Sequence, residues 1–189
     1  MKTEQQYFEE SIPMAQYMEQ MTTPILKEKS FAVYENFNVN PNDELFPLLK
    51  EEKPHILAIT EDWCGDAMLN NAVIRKIAEE ADLEIRCAFR DADTDLIDRY
   101  LTNGGRAIPI YLLLNEQGEV IGKWGPRAPE LQQLVTEMRA QLPEKGDPTF
   151  EQKQKEMYTS MQDKFVHDPQ CAQWVYEDMK KVLSKAIQK

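Results

Sequence analysis

The hydrophobic pattern on either side of Cys64 is the sequence feature that most constrains the fold of this chain. Residues 55–60 form a continuous apolar run, which is typical of a strand buried on both faces. Residues 66–81 carry their apolar side chains at helical spacing. Cys64 is therefore predicted to lie at a strand-to-helix turn, near the positive end of a helix dipole, where a thiol ionises most readily.

The residues that follow predict the rest of a small α/β unit. Residues 83–89 alternate between apolar and polar, as in a strand near a sheet edge, and residues 108–114 form a second continuous apolar run. A turn at 115–118 leads to a returning strand at 119–124. Further helices are predicted to begin at Asp93 and Pro129. This order predicts an α/β fold with a four-stranded mixed sheet, helices on both faces, and the two apolar runs in the centre.

The flanking segments are predicted to be helical. Residues 1–52 form a helical N-terminal extension, residues 53–142 the α/β domain, and residues 143–189 a helical C-terminal extension on the same globule. The predicted helix starts are Ser11, Thr23-Pro24, Asn40-Pro41, Asp147-Pro148 and Asp168-Pro169. Both flanks carry methionine and aromatic side chains, such as Trp174, that need burial, so we interpret these side chains as core and not as a ligand site.

Composition limits the partners and the compartment. The net charge of −11 argues against a nucleic-acid surface and against docking on anionic membranes. The N-terminus lacks the pattern of a signal peptide and no apolar run is long enough to span a membrane, so a cytoplasmic location is expected. Three cysteines at irregular spacing suit a reducing compartment. With two histidines and no cluster of metal ligands, neither a metal nor a cofactor is expected.

The turn at Cys64 resembles the active-site turn of the thioredoxin family. The resemblance rests on the order of elements, on Trp63-Cys64-Gly65 after the first central strand, and on Ile108-Pro109 at the start of the second. The run from Thr60 to Met68 is more closely similar to an uncharacterised bacterial branch with helical extensions at both ends. In that branch Trp-Cys-Gly-Asp-Ala replaces the two-cysteine motif. The resemblance covers residues 54–142 and implies a thioredoxin-like fold.

The resemblance also implies roles for individual residues. Cys64 matches the nucleophile, whose thiolate attacks a disulfide or an oxidised sulfur. Trp63 matches the ring that shields the thiol and offers a contact surface. Pro109 matches the cis-proline that faces the nucleophile, which would leave the backbone of Ile108 open to pair with an extended substrate strand.

Three departures from the family pattern change the expected chemistry. Ala67 stands in place of the resolving cysteine, so the site can form a mixed disulfide but cannot resolve it within the motif. Asp66 replaces the usual proline and adds a negative charge. Ala58 stands where many thioredoxins bury a carboxylate that transfers protons. Together with Gly65, these residues shape a site that is unsuited to dithiol reduction.

The charges near the thiol oppose its ionisation. Three acidic residues lie close in sequence, namely Glu61, Asp62 and Asp66. They can cancel the helix dipole, which contributes about 0.3–1 kcal/mol at an exposed site. We hypothesise that Arg106 approaches the thiol and restores the balance, with Arg127 as a second candidate.

The sequence leaves two functions open and does not decide whether the chain is an enzyme. The first is monothiol thiol–disulfide exchange through Cys64 with protein or low-molecular-weight disulfides. The second is a redox-inactive binding or adaptor module that recognises a polypeptide through a groove formed by Trp63, Ile108 and Pro109. The helical flanks offer a surface for a homodimer or another partner. Cys171 is predicted in the first turn of a helix, and core packing or surface placement is favoured there over the role of a resolving thiol.

Overall fold

A five-stranded mixed sheet forms the centre of the computed structural model, which describes residues 1–188. The strands are β1 (Ile12–Pro13), β2 (His55–Thr60), β3 (Ile85–Phe89), β4 (Ile110–Leu114) and β5 (Val120–Trp124). Their order in the sheet is β1-β3-β2-β4-β5; β2 and β3 are parallel and the other neighbours antiparallel. The predicted mixed sheet with β2 and β4 in the centre is confirmed, whereas the predicted count of four strands is one too few.

The missed strand, β1, also corrects the predicted helix start at Ser11. Ile12 pairs with Cys87 of β3, so a short antiparallel strand interrupts the helical pattern, and the next helix begins only at Met14. The Ser11 hydroxyl donates instead to the Tyr7 carbonyl at the end of the preceding helix. A two-residue strand that contains proline produces no periodicity, and for that reason the sequence did not indicate it.

Helices cover both faces of the sheet. They are α1 (Glu4–Glu10), α2 (Met14–Gln20), α3 (Pro24–Asn36), α4 (Leu45–Glu52), α5 (Gly65–Ala81), α6 (Thr94–Ile97), α7 (Pro129–Ala140), α8 (Phe150–His167) and α9 (Pro169–Ile187). The predicted starts at Thr23-Pro24 and Asp168-Pro169 are confirmed. The starts predicted at Asn40-Pro41 and Asp147-Pro148 are early, because Asn40 and Asp147 accept hydrogen bonds from backbone N–H groups in turns that precede α4 and α8.

The strand β2 is apolar throughout because it is buried on both sides. Leu57 and Ile59 face a smaller cluster closed by α1 and α6, whereas Ile56 and Ala58 face the larger cluster that contains α5. Side chains from both flanks, including Tyr17 and Phe165, lie in that larger cluster. Lys189, the last residue of the predicted C-terminal extension, lies outside the described residues. No helix within residues 1–188 is long and apolar enough to cross a membrane.

Candidate functional site

The Cys64 side chain caps the N-terminus of α5. Its sulfur accepts a hydrogen bond from the Ala67 N–H at 3.5 Å, and its S–H donates to the Ile108 carbonyl at 3.6 Å. The residue is half-buried, whereas Cys87 and Cys171 are buried. Cys64 is therefore held between the helix terminus and the segment that leads into β4, with partial access to solvent.

The segment opposite the thiol is held by close backbone packing. The peptide bond between Ile108 and Pro109 is cis, as is the bond between Gly125 and Pro126. Gly125 has φ +133°, and a Cβ atom there would lie 2.2 Å from the Pro109 carbonyl oxygen. No residue with a Cβ atom fits at this distance, so Gly125 allows the segment that follows β5 to pack against Pro109.

Trp63 presents an exposed ring beside the thiol. Its side chain is half exposed, and the Arg90 guanidinium lies 4.9 Å from the ring centroid. Arg90 also donates to the Arg106 carbonyl at 3.1 Å, which links the end of β3 to the loop before Ile108. A cation over the indole face limits the orientations open to the ring. The sequence does not indicate that Arg90 contacts Trp63, because Arg90 follows a different strand.

Two of the three acidic residues near Cys64 hold in place the loop between β2 and α5. Asp62 accepts hydrogen bonds from the Thr22 N–H and hydroxyl, both at 2.7 Å. Glu61 accepts from the Asp91 N–H at 2.9 Å. These carboxylates attach the loop to the N-terminal flank on one side and to the end of β3 on the other.

The third acid, Asp66, forms a bidentate ion pair with Arg127. The guanidinium Nε and Nη2 donate to its two carboxylate oxygens at 2.9 and 2.7 Å. Burial nevertheless raises the pKa of Asp66. Arg106, by contrast, forms an ion pair with Asp98 at 2.7 Å, and its approach to the thiol stays a hypothesis. Arg127, the second candidate, is the cation at this position, and the carbonyl of the preceding Pro126 accepts a hydrogen bond from the Asn70 amide of α5 at 2.9 Å.

The environment holds the Cys64 thiol in its protonated form at neutral pH. Burial, followed by the negative charge of Asp66, raises the pKa of Cys64 to about 11. The backbone N–H groups of Asp66 and Ala67 and the charge of Arg127 lower it, but by less than the opposing effects. The helix terminus therefore acts in the expected direction, but burial and the charge of Asp66 outweigh it.

A buried polar network lies on the larger-cluster side of the sheet, in the region of Ala58. The Tyr111 hydroxyl donates to the Asn71 amide oxygen, and the Asn71 amide donates to the Thr60 hydroxyl at 3.2 Å. The Tyr17 hydroxyl lies 3.4 Å from the same Thr60 oxygen. Because Ala58 pairs directly with Tyr111, its small side chain leaves room for the ring. Neutral groups therefore occupy the region where many thioredoxins bury a carboxylate.

The C-terminal flank reaches the motif through Gln162 of α8. A Cβ atom on Gly65 would lie 3.1 Å from the Gln162 Nε2 and 3.3 Å from its Cγ. The backbone of Gly65 is therefore covered at close range by this side chain. No local pattern indicates the contact, since the two residues lie on separate helices far apart in sequence.

The other two cysteines pack in the core. The Cys87 thiol lies 3.4 Å from the Met14 sulfur, and burial strongly raises its pKa. Burial raises the pKa of Cys171 to about 11, so the helix terminus does not activate this thiol either. The position of Cys171 agrees with the prediction of core packing. Among residues 1–188, no group of three or more histidine, cysteine or acidic side chains is arranged to hold a metal ion.

Comparisons with known proteins agree with this fold. A family model described as Thioredoxin matches residues 11–139. The crystal structure of an HIV epitope scaffold aligns with a TM-score of 0.64 and 14% identity, covering 97% of this chain and 99% of its own. A protein of unknown function from Pseudomonas aeruginosa aligns with a TM-score of 0.60 and 17% identity, covering 95% and 99%. At these identities the structural likeness shows the fold alone. No curated protein matches the chain.

Proposed function

The chain belongs to the thioredoxin family, and we propose that Cys64 carries out monothiol thiol–disulfide exchange with protein or low-molecular-weight disulfides. One observation carries this proposal. Within residues 1–188, Cys64 is the cysteine with access to solvent, and its sulfur faces the Ile108 carbonyl in front of Pro109. The family match itself supports the fold and not the reaction.

The proposed reaction forms one disulfide as it breaks another. The Cys64 thiolate attacks one sulfur of the substrate, the substrate S–S bond breaks, and the other half leaves as a thiolate that takes up a proton. Because Ala67 offers no second thiol, an external thiol must release the mixed disulfide. The site is therefore proposed to act once per external reduction.

The raised pKa of Cys64 sets the expected rates. With a pKa of about 11, about one molecule in ten thousand carries the thiolate at pH 7. The thiolate of a thiol with a high pKa is a stronger nucleophile, but this offsets only part of the rate lost through the small thiolate fraction. The same thiolate is also a poorer leaving group. The mixed disulfide on Cys64 should therefore form slowly at neutral pH and persist once formed.

The remaining site residues are proposed to position the substrate and the thiol. Trp63 offers its exposed ring, and the segment of Ile108 and Pro109 offers backbone opposite the thiol. Asp66 is held by Arg127 and opposes ionisation. Gly65 and Ala67 shape the turn, and we assign Arg106 no contact with substrate because its guanidinium is engaged with Asp98.

We further propose that the chain works in the cytoplasm and that its flanks form part of one globule with residues 53–142. The free state of all three cysteines suits a reducing compartment. The burial of flank side chains in the larger core cluster supports the second point.

A second candidate function is a redox-inactive binding module that takes up a polypeptide through Trp63, Ile108 and Pro109. The observation that favours it is the protonated Cys64 thiol, which lacks the low pKa of most catalytic cysteines. In that case Cys64 would contribute its shape and its hydrogen bond to Ile108 and no chemistry.

One experiment separates the two functions. The full chain is incubated with hydroxyethyl disulfide over a range of alkaline pH, and intact masses are taken for the wild type and for Cys64→Ser. A stoichiometric adduct that is absent from Cys64→Ser and released by excess thiol supports exchange. No adduct at Cys64 at any pH at which the protein stays folded would overturn exchange and leave the binding module.

A further inference from the structure

The Gln162 side chain lies at the motif and, within residues 1–188, has no hydrogen-bonding partner. It is half-buried, and within the described residues no group pairs with its amide. The amide nitrogen lies 3.1 Å from the position of a Cβ on Gly65, the residue next to Cys64. A side-chain amide offers both a donor and an acceptor, as a peptide group does.

The helix that carries Gln162 is anchored on both sides of it. Met161 and Phe165 are buried in the larger core cluster. The neighbouring Asp163 forms an ion pair with Lys29 of α3 at 3.0 Å. The backbone of this helix is therefore fixed, and it carries the amide to a place beside Gly65, the residue next to Cys64.

We propose that Gln162 is a specificity-determining residue that hydrogen-bonds the backbone of a polypeptide disulfide as that substrate reacts with Cys64. This inference rests on the proposed function. A polypeptide joined to Cys64 must carry its chain past the motif, and because Gly65 has no side chain the Gln162 amide lies close to the motif on the side facing α8. The Gln162 amide pairs there with one peptide group of the substrate. A small disulfide without a backbone has no such group.

The substrate class is therefore a cysteine in an extended polypeptide, selected over low-molecular-weight disulfides. The contact is neutral on both sides, so it does not depend on the charge of the substrate. It places the C-terminal flank, which lies beyond the residues matched by the family model, in the substrate site.

The test compares two uncharged substrates at one fixed pH with the full chain. They are the symmetrical disulfide of acetyl-Ala-Ala-Cys-Ala-Ala-amide and hydroxyethyl disulfide, and the rate of adduct formation on Cys64 is followed by mass. Loss of one neutral hydrogen bond in Gln162→Ala should slow the peptide reaction about fivefold and leave the hydroxyethyl disulfide rate unchanged. Alanine is a strong helix former, so the variant should fold.

Gln154→Ala is the matched control. Gln154 is half-buried in the same helix and, within residues 1–188, is likewise without a hydrogen bond. It lies two turns away, about 12 Å along the axis, and its removal should change neither rate.

A second variant, Gly65→Ala, crowds the Gln162 amide, because the added Cβ would lie 3.1 Å from its nitrogen. Any effect of Gly65→Ala that is specific to the peptide reaction should disappear in the Gln162→Ala background, since both changes act on the same contact. Equal rates for wild type and Gln162→Ala, or an equal slowing with both substrates, would overturn the role of Gln162. No adduct with either disulfide in the wild type would instead overturn the proposed exchange, and this inference with it.

Discussion

Cys64 and Cys171 occupy similar local positions and differ in what surrounds them. Cys64 caps α5 and Cys171 lies in the first turn of α9. Each has an aspartate nearby, Asp66 or Asp168, whose charge opposes ionisation. Burial is the main cause at both sites, and it raises both pKa values to about 11. The donors at a helix N-terminus therefore do not bring the pKa of a thiol below its ordinary value when burial opposes them.

The two thiols differ in access and not in acidity. Cys171 is 0% exposed and packs in the larger core cluster, whereas Cys64 is half-buried and faces the Ile108 carbonyl. A reagent or a substrate reaches Cys64 in the folded protein and reaches Cys171 only after the core opens. Access is therefore the property that makes Cys64 the candidate for chemistry.

The largest change should come from giving the accessible thiol a partner, through Ala67→Cys. Residues i and i+3 share a helix face, and the Ala67 N–H already lies 3.5 Å from the Cys64 sulfur. We expect the variant to gain an intramolecular disulfide, seen as a reversible loss of two hydrogens by mass, and the wild type to show negligible reduction of insulin with thioredoxin reductase. Robust turnover by the wild type would contradict the role assigned to Ala67.

The two cysteines should also differ in what they contribute to stability. Cys171→Ser places a hydroxyl in the apolar core and should lower the free energy of unfolding by about 1–3 kcal/mol. Cys64→Ser should cost about 0.5 kcal/mol or less, because serine is a favoured N-cap and can accept from the Ala67 N–H. Urea unfolding of both variants measures this. An equal decrease in the free energy of unfolding for the two variants would contradict the distinction between Cys171 as a core residue and Cys64 as a site residue.

Neutralising the nearby aspartates should change reactivity at one thiol only. Asp66→Asn removes a negative charge that raises the pKa of Cys64. Because a lower pKa increases the thiolate fraction at any pH below it, iodoacetamide should label Cys64 several-fold faster at neutral pH, and at most about tenfold.

Asp168→Asn is the matched control for that change. It retains an N-cap side chain for α9 and should leave the labelling of Cys171 unchanged, since core opening limits that reaction. A slower reaction of Cys64 in Asp66→Asn would contradict the sign of the Asp66 effect. Thermal melts must accompany the measurement, because Asp66 pairs with the half-buried Arg127.

The central part of the fold could be predicted because its pattern is strong. The apolar run of β2 reflects burial on both faces, and the same holds for β4. The two residues of β1 could not be predicted, since so short a strand has no period. Its place depends on pairing with Cys87, which follows it by more than seventy residues.

The site could be predicted at the motif but not around it. The turn at Cys64 and the segment at Pro109 are local features of the sequence. Which arginine pairs with Asp66 beside Cys64, Arg106 or Arg127, depends on how the loops that carry them fold. The contact of Gln162 with Gly65 depends on the packing of α8. The direction of the Cys64 pKa shift could not be decided from the sequence, because it depends mainly on burial, which exceeds the effect of the local helix dipole.

A labelling titration of the native protein tests most directly the claim that access and not acidity distinguishes the two thiols. Iodoacetamide labelling of Cys64 and Cys171 is followed site by site by peptide mass as the pH is raised. The rate at Cys64 should increase about tenfold per pH unit toward a midpoint of about 11, while Cys171 is labelled only at the rate of core opening. A Cys64 midpoint at or below about 8.5, the value of a free thiol, or equal labelling of Cys171, would contradict this account.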